Sequence, residues 1–138
     1  MPNVSEIIEQ IFPQKTVVIV GDLVADQFLN GTISRVSREA PVFILRHDST
    51  QTRPGAAANA AVNVASLGGS PLLVGFAGAD ANGDLLIKSL NDLGVDTENI
   101  LRSAELSTTT KVRVLAGQHY AARQQVFRID NEKTSAIA

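Results

Sequence analysis

The amino-acid sequence predicts an α/β fold in which helices cover a parallel sheet. Two apolar runs, TVVIVG at 16–21 and SPLLVGFAG at 70–78, predict strands that are buried on both faces. Helical patterns lie at about 56–67 and 83–93, and this alternation of strand and helix is typical of a three-layer fold with a parallel sheet. Other segments alternate polar and apolar residues, which predicts a second, exposed sheet.

The first elements follow from caps and turn signals. Ser5 precedes the amphipathic run EIIEQIF, and we expect it to cap a short helix that Pro13 ends. The Asn30-Gly31 pair is a turn signal inside the polar segment 22–41. The run VFILRHD, at 42–48, predicts a strand that pairs with part of that segment.

The later elements are bounded by glycines and by one aspartate. Gly68-Gly69 ends the first long helix, Asp80 is a start signal for the second, and Gly94 closes it. Leu86, Leu90 and Leu93 form the apolar stripe of that second helix. Short strands are expected at 99–102, 109–116 and 123–130, with a loop at 117–122 between the last two.

Composition excludes several classes of protein. The 138 residues are 44% hydrophobic, which is enough for a core in one domain or in a piece of a larger one. A net charge of −2 with 4% aromatic residues argues against nucleic-acid binding. No cysteine is present, His47 and His119 are isolated, and no run approaches a membrane span, so we expect no disulfide, metal site or membrane partner. Glu6 and Glu9 argue against a secretory signal at the start.

The segment 53–68, RPGAAANAAVNVASLG, predicts a helix that receives a small polar ligand. Its polar residues fall on one helix face, at Asn59, Asn63 and Ser66. The opposite face, which suits burial, carries Ala57, Ala61 and Val64. Small residues beside a glycine let a ligand approach the backbone, and a helix start offers free N–H groups.

Several motifs, in this order, resemble the N-terminal part of the ribokinase-like (PfkB) carbohydrate kinases. The matching stretches are GDLVAD (21–26), GTISRVSREAPV (31–42), RPGAAANAAVNVASLG (53–68), LVGFAGADANG (73–83), TTTKVRVL (108–115) and FRID (127–130). Within that family they are most similar to the D-glycero-β-D-manno-heptose 7-phosphate kinases, the kinase domain of bifunctional ADP-heptose synthases. The resemblance implies half of a three-layer ribokinase-like fold, with a central mostly parallel sheet and a small β-sheet lid within about 28–48 and 108–130. Gly55-Ala56 departs from the family's paired glycines, and Arg38 stands where the family has proline.

The resemblance also implies a sugar site. Asp26 aligns with the aspartate that accepts hydrogen bonds from sugar hydroxyls; from the residues alone, a loop-capping or solvated aspartate is the alternative. Gly55 and Asn59 match the sugar-binding glycine and asparagine of the family. Asn63 lies one turn deeper, where it supports Asn59 or bonds the backbone.

Five cations are candidate ligands of a substrate phosphate, since guanidinium groups bind phosphate well. They are Arg35, Arg53, Lys111, Arg113 and Arg128. The alternative for each is a solvated surface cation. Lys111 and Arg113 alternate along one strand and share a face, and Asp130 and Glu132 are their alternative partners.

The implied activity is transfer of the ATP γ-phosphate to the anomeric hydroxyl of the heptose phosphate, in the cytoplasm. ATP and Mg²⁺ are expected mainly on a part of the kinase that this sequence does not include. The resemblance places the catalytic base in a Gly-Ala-Gly-Asp motif beyond Ala138, so no catalytic residue is expected here and the chain alone is expected to be inactive. Gly78-Ala79-Asp80 matches a different, N-terminal motif. A homodimer through the lid strands is also implied.

Two alternatives remain open at this point. One is a related kinase for fructose, ribose or a nucleoside. The other is a truncated, non-catalytic sugar-binding module.

Overall fold

The computed structural model describes residues 3–118 and 122–132. His119 and the middle of the predicted loop at 117–122 lie outside these residues. The helices are α1 (Val4–Glu6), α2 (Ala57–Ser66) and α3 (Ala81–Asp92). The strands are β1 (Thr16–Val20), β2 (Leu23–Val36), β3 (Phe43–Ala56), β4 (Ser70–Gly78), β5 (Ile100–Ser103), β6 (Thr109–Gly117) and β7 (Gln124–Asn131). No helix in the described ranges is both long enough and apolar enough to cross a membrane.

The chain begins with a capped helical turn, but the predicted cap at Ser5 is wrong. Asn3 is the cap: its Oδ1 accepts from the Glu6 backbone N–H at 2.9 Å, and Glu6 Oε2 accepts from the Asn3 N–H at 2.9 Å. This reciprocal pair satisfies two free helix-end donors at once, which Ser5 does not do. A π turn (Ile7–Ile11) and a 3-10 turn (Phe12–Gln14) that contains Pro13 follow.

The first sheet is parallel, in the order β1-β4-β5, as the sequence predicts. Its buried face packs Leu73 and Ala77 of β4 against α2 and α3, which contribute Ala58, Ala61, Leu86 and Leu90 to the core. The other face is open, since Val18 and Val20 are 62% and 75% exposed. The prediction of strands buried on both faces is therefore wrong for the described chain, because both long helices lie on the same side.

The second sheet has the order β3-β2-β6-β7, with β2 parallel to β6 and antiparallel to β3. The predicted turn at Asn30-Gly31 is wrong: β2 runs through it with a register shift. Gly31 is needed there because a Cβ would lie 3.1 Å from the carbonyl oxygen of Arg46. The actual connection is 37–42, where the Ser37 N–H donates to the Val42 carbonyl at 2.8 Å.

The two long helices start and stop close to the predicted residues. α2 follows β3 without a loop and ends before Gly68, whose φ of +87° suits glycine. α3 begins at Ala81, two residues earlier than predicted, because Asp80 Oδ1 accepts from the Gly83 N–H at 2.8 Å as the helix cap. Both helices lie over the same side of the two sheets, which leaves the outer face of the second sheet uncovered by them.

Candidate functional site

One face of the second sheet carries a cluster of charged side chains. Asp26 on β2 is the register partner of Arg53 on β3 and of Lys111 on β6. Two residues further along these strands, Phe28 on β2 is the register partner of Arg113 on β6. Paired residues and alternate residues along a strand share a face, so these side chains all lie on one side of the sheet. We call it the Asp26 face; it comprises Asp26, Phe28, Arg53, Gly55, Lys111, Arg113, Arg128 and Asp130.

The strand pattern explains why the opposite face cannot hold the site. Leu23, Ala25 and Thr110 alternate with the Asp26 face and are at most 3% exposed, and Leu23 and Ala25 pack in the core with residues of α2 and α3. On that side Gln27 Nε2 donates to Asn82 Oδ1 of α3 at 2.9 Å. The helices therefore cover the buried side of β2, while they leave the Asp26 face uncovered.

Asp26 is held by an ion pair at the centre of this face. Arg113 Nη2 donates to Asp26 Oδ1 at 3.0 Å, and the two side chains are 27% and 21% exposed. The guanidinium groups of Arg53 and Arg113 lie 5.2 and 5.9 Å from the centre of the Phe28 ring. Sequence reasoning missed Phe28 as a platform for these two cations, although its position two residues after Asp26 places it on the same face.

Gly55 lets the β3 backbone approach the Asp26 carboxylate closely. A Cβ on Gly55 would lie 2.5 Å from Asp26 Oδ2 and 3.3 Å from the Val24 Cβ. Ala56 follows with φ 51° and ψ −125°, a conformation that favours glycine, and it is the one non-glycine residue with positive φ in the described ranges. The departure from paired glycines at Gly55-Ala56 thus falls on a strained position.

Asn59 and Asn63 lie on α2, directly after this strained turn. Asn59 is in the first turn of the helix, and both amides are exposed together with Ser66, which confirms the predicted polar helix face. The buried side is centred on Ala58 and Ala61, so the predicted set of Ala57, Ala61 and Val64 is right only in part. Asn59 lies three residues past the end of β3 and Asn63 one turn further along, and neither donates a hydrogen bond to Asp26 among the described residues.

The remaining candidate cations differ in their surroundings. Lys111 Nζ lies 3.7 Å from Glu132, and Arg128 pairs with Asp130 at 2.8 Å, so the alternative partners named from the sequence are present. Arg35 is nine residues along β2 from Asp26, which corresponds to about 30 Å of extended strand. The structure thus brings Arg53, Lys111 and Arg113 around Asp26, sets Arg128 at the edge, and does not bring Arg35 to them.

A second aspartate, Asp80, has a different environment. Its Oδ1 accepts from the Gly83 N–H at 2.8 Å and the Thr108 hydroxyl at 2.7 Å, and its Oδ2 accepts from the Thr108 N–H at 2.9 Å. Burial raises the pKa of Asp80, but the hydrogen bonds from Thr108 and Gly83, with the charge of Arg102, lower the pKa below its ordinary value. Asp80 is therefore fully engaged in joining α3 to the start of β6.

The fold and the Asp26 face define a class of protein, an α/β domain with a cluster of cations around an aspartate on one sheet face. Residues 14–134 match the family model described as pfkB family carbohydrate kinase, and the chain belongs to that family. The family resemblance predicted from the motifs is thereby confirmed.

A relative in sequence agrees with this assignment. The chain is 44% identical over 125 residues to the bifunctional protein HldE of Magnetococcus marinus. The matched region covers 91% of this chain and 25% of that protein. It spans about a quarter of the length of the curated relatives that it matches.

Two solved structures are similar in fold. A carbohydrate kinase from Agrobacterium tumefaciens has a TM-score of 0.64 and 20% identity, and the match covers 85% of this chain and 35% of that one. Arabidopsis thaliana ribokinase, in complex with ribose and ATP, has a TM-score of 0.57 and 24% identity, with 83% and 35% covered. The α/β, ribokinase-like architecture is confirmed for the part of the fold that this chain contains.

Proposed function

We propose that this chain is the sugar-phosphate-binding part of an ATP-dependent carbohydrate kinase. The substrate we propose is D-glycero-β-D-manno-heptose 7-phosphate, phosphorylated at its anomeric hydroxyl on a cytoplasmic route to ADP-heptose for lipopolysaccharide cores. Membership of the family supports the kinase class. The heptose phosphate rests on the motif resemblance and on similarity to proteins named bifunctional protein HldE.

One observation carries the proposal: a half-buried aspartate lies among three cations on an open sheet face. Asp26 has Arg53 and Lys111 as register neighbours and Arg113 at 3.0 Å. A carboxylate accepts hydrogen bonds from vicinal hydroxyls, and guanidinium and ammonium groups bind a phosphate. A ligand that carries both hydroxyls and a phosphate matches this combination of groups.

The sugar would lie against the end of β3 and the start of α2. Gly55 lets the Asp26 carboxylate lie against the β3 backbone, and the exposed amide of Asn59 both donates to and accepts from hydroxyls. Asn63 would support Asn59 from the next turn. Arg128 would contribute at the edge of the sheet, while Arg35 would reach this substrate only by a movement of the far end of β2.

The Asp26 face does not fit Mg²⁺. Its two carboxylates, Asp26 and Asp130, already lie beside the guanidinium groups of Arg113 and Arg128, whose positive charge opposes a metal cation. Among the described residues no cluster of three or more histidine or acidic side chains could hold a metal. We therefore assign Mg²⁺, ATP and the general base to parts of the protein other than this face.

Asp80 is not the base in this proposal, because its oxygens accept three hydrogen bonds within the fold. The described residues would instead bind and orient the sugar phosphate and shield it from water. By themselves they would not transfer a phosphoryl group, since a kinase also needs a base and a site that stabilises the transferred phosphate.

A homodimer through the second sheet is part of the proposal. Pro41, Val42, Phe43 and Phe127 line an open groove of about 440 Å³ at the far end of that sheet, and Phe43 and Phe127 are 63% and 52% exposed. A second copy that covers these side chains would remove apolar surface from water. In analytical ultracentrifugation we expect the wild type to sediment as a dimer and the Phe43→Ser variant to sediment as a monomer.

The test of the substrate is phosphoryl transfer by the protein that carries this chain. With Mg-ATP, we expect rapid ADP release with the heptose 7-phosphate and a new phosphate at its anomeric carbon by ³¹P NMR. Ribose, fructose and nucleosides are the controls, and we expect each to be a poor substrate. Turnover that is faster with one of these controls would contradict the proposed substrate and favour a related kinase. No turnover with any sugar would favour a non-catalytic binding module.

A further inference from the structure

The Asp26 carboxylate is already engaged by Arg113 in the described structure. Oδ1 accepts from Arg113 at 3.0 Å. Oδ2 faces the backbone of Gly55, where even a methyl group would lie only 2.5 Å away. A sugar hydroxyl that donates to Asp26 Oδ1 therefore competes with the guanidinium of Arg113 for that oxygen.

Arg113 can change partners without losing its support. One of its nitrogens contacts Asp26, and a guanidinium has five N–H donors. The Phe28 ring lies 5.9 Å from its central carbon, and the same ring lies 5.2 Å from that of Arg53. A phosphate that binds both guanidinium groups would keep them over the ring while it draws Arg113 from the carboxylate.

We infer that Arg113 couples the two halves of substrate recognition: the phosphate of the ligand draws Arg113 from Asp26, and the freed carboxylate then accepts the sugar hydroxyls. This inference rests on the proposed function, because it concerns how that same site selects its substrate. A sugar without a phosphate must displace Arg113 with hydroxyl groups alone, which leaves a half-buried cation without its partner. Arg113 is therefore a specificity-determining residue for phosphorylated over unphosphorylated sugars.

Its neighbour Arg128 does not have the same freedom. Arg128 is the register partner of Arg113, and its guanidinium pairs with Asp130 at 2.8 Å, two residues away on the same strand. Lys111 lies beside Asp26 but is 3.7 Å from Glu132. In the described structure Arg113 thus pairs with Asp26, the carboxylate that we propose binds the sugar.

The experiment measures the affinity of the heptose 7-phosphate and of the unphosphorylated heptose for the protein that carries this chain. Arg113→Met should weaken the sugar phosphate by about tenfold or more and leave the unphosphorylated sugar unchanged or slightly tighter. Arg113→Lys should recover part of the discrimination. Arg46→Met is the matched control, since Arg46 is an exposed cation of the same sheet whose register partner is Thr32, six residues along β2 from Asp26.

Two results would overturn the coupling. One is an equal loss of affinity for both sugars in Arg113→Met, which would reduce Arg113 to a support for Asp26. The other is an Arg46→Met variant that lowers the discrimination as much as Arg113→Met does, which would indicate a general effect of charge.

A second readout separates this inference from the choice of sugar. Inorganic phosphate should shift the ¹³C resonance of the Asp26 carboxylate in the wild type and in Arg46→Met, but not in Arg113→Met. An Asp26 resonance that does not respond to phosphate in the wild type would overturn the coupling, whichever sugar the protein binds. If the resonance responds but the heptose 7-phosphate does not bind, the proposed substrate fails and the coupling stands.

Discussion

Asp26 lies within β2 and Asp80 follows β4, and the two aspartates have different surroundings. Asp80 accepts three hydrogen bonds from Thr108 and Gly83, and all three donors belong to the fold itself. Asp26 accepts from one charged side chain, Arg113, on an open sheet face. The partners of the two carboxylates, more than their exposure, therefore support a structural role for Asp80 and the ligand-binding role that we propose for Asp26.

The largest effect we expect comes from breaking the Asp80 network. Asp80→Ala removes a helix cap and leaves the Thr108 N–H and Gly83 N–H without their acceptor, so the free energy of unfolding should fall by about 2–4 kcal/mol. Denaturant titration measures it. Asp84→Ala in the first turn of the same helix is the control, and it should cost less than about 1 kcal/mol because Asp84 pairs with Arg102 at the surface. Equal losses would contradict the structural role of Asp80.

The pH dependence of the free energy of unfolding also tests the structural role of Asp80. The pKa of Asp80 is lowered in the folded state, so its carboxylate stabilises the fold above the pKa of the unfolded chain, and this contribution is lost as the pH falls through the folded-state pKa. The stability difference between wild type and Asp80→Asn should therefore be full near neutrality and shrink below about pH 4. A difference that grows on acidification would contradict this assignment.

The next effect concerns the close approach of β3 to Asp26. Gly55→Ala places a methyl 2.5 Å from Asp26 Oδ2, so the carboxylate must move and the affinity for sugar phosphate should fall by about tenfold. Gly94→Ala is the control. Gly94 has a φ of +77° with no atom within 4 Å of an added Cβ, so its variant should lose stability and keep full affinity. Unchanged affinity in Gly55→Ala would show that the ligand does not need this position of Asp26.

The smallest effect is the release of strain beside the site. Ala56 has φ 51° and ψ −125°, so Ala56→Gly should raise the free energy of unfolding by about 0.5 kcal/mol, the relief of strain less the added flexibility of the unfolded chain. Thermal unfolding measures it. Ala60→Gly, an exposed change within α2, should instead lower stability by about 1 kcal/mol. The same sign in both variants would mean that Ala56 is not strained.

Local sequence signals predicted most elements of the fold. The apolar runs gave β1 and β4, and the glycines and Asp80 marked the helix ends, because these features act over a few residues. The prediction of a turn at Asn30-Gly31 is wrong because the same dipeptide also occurs at a bulge within a long strand. Which of the two forms depends on the strands that pair with it. The exposure of Val18 and Val20 likewise depends on which layers surround the sheet.

The candidate site was predictable residue by residue but not as an arrangement. The motifs pointed to Asp26, Gly55, Arg53, Lys111 and Arg113, and strand register places these on one face. The pair between Asp26 and Arg113 joins residues 87 positions apart, so no local pattern contains it. The roles of Phe28 and Thr108 also arise from register and from packing between distant segments.

The most direct test of the central claim, that the Asp26 face binds the sugar phosphate, is the dissociation constant of the heptose 7-phosphate for Asp26→Asn by calorimetry. Asparagine keeps the shape of the side chain but replaces one of the two carboxylate oxygens that accept hydrogen bonds from the hydroxyls, and it removes the negative charge. We predict that affinity falls by about tenfold or more, while Asp80→Asn, measured below its unfolding temperature, binds as the wild type does. An Asp26→Asn affinity within about twofold of the wild type would contradict the claim.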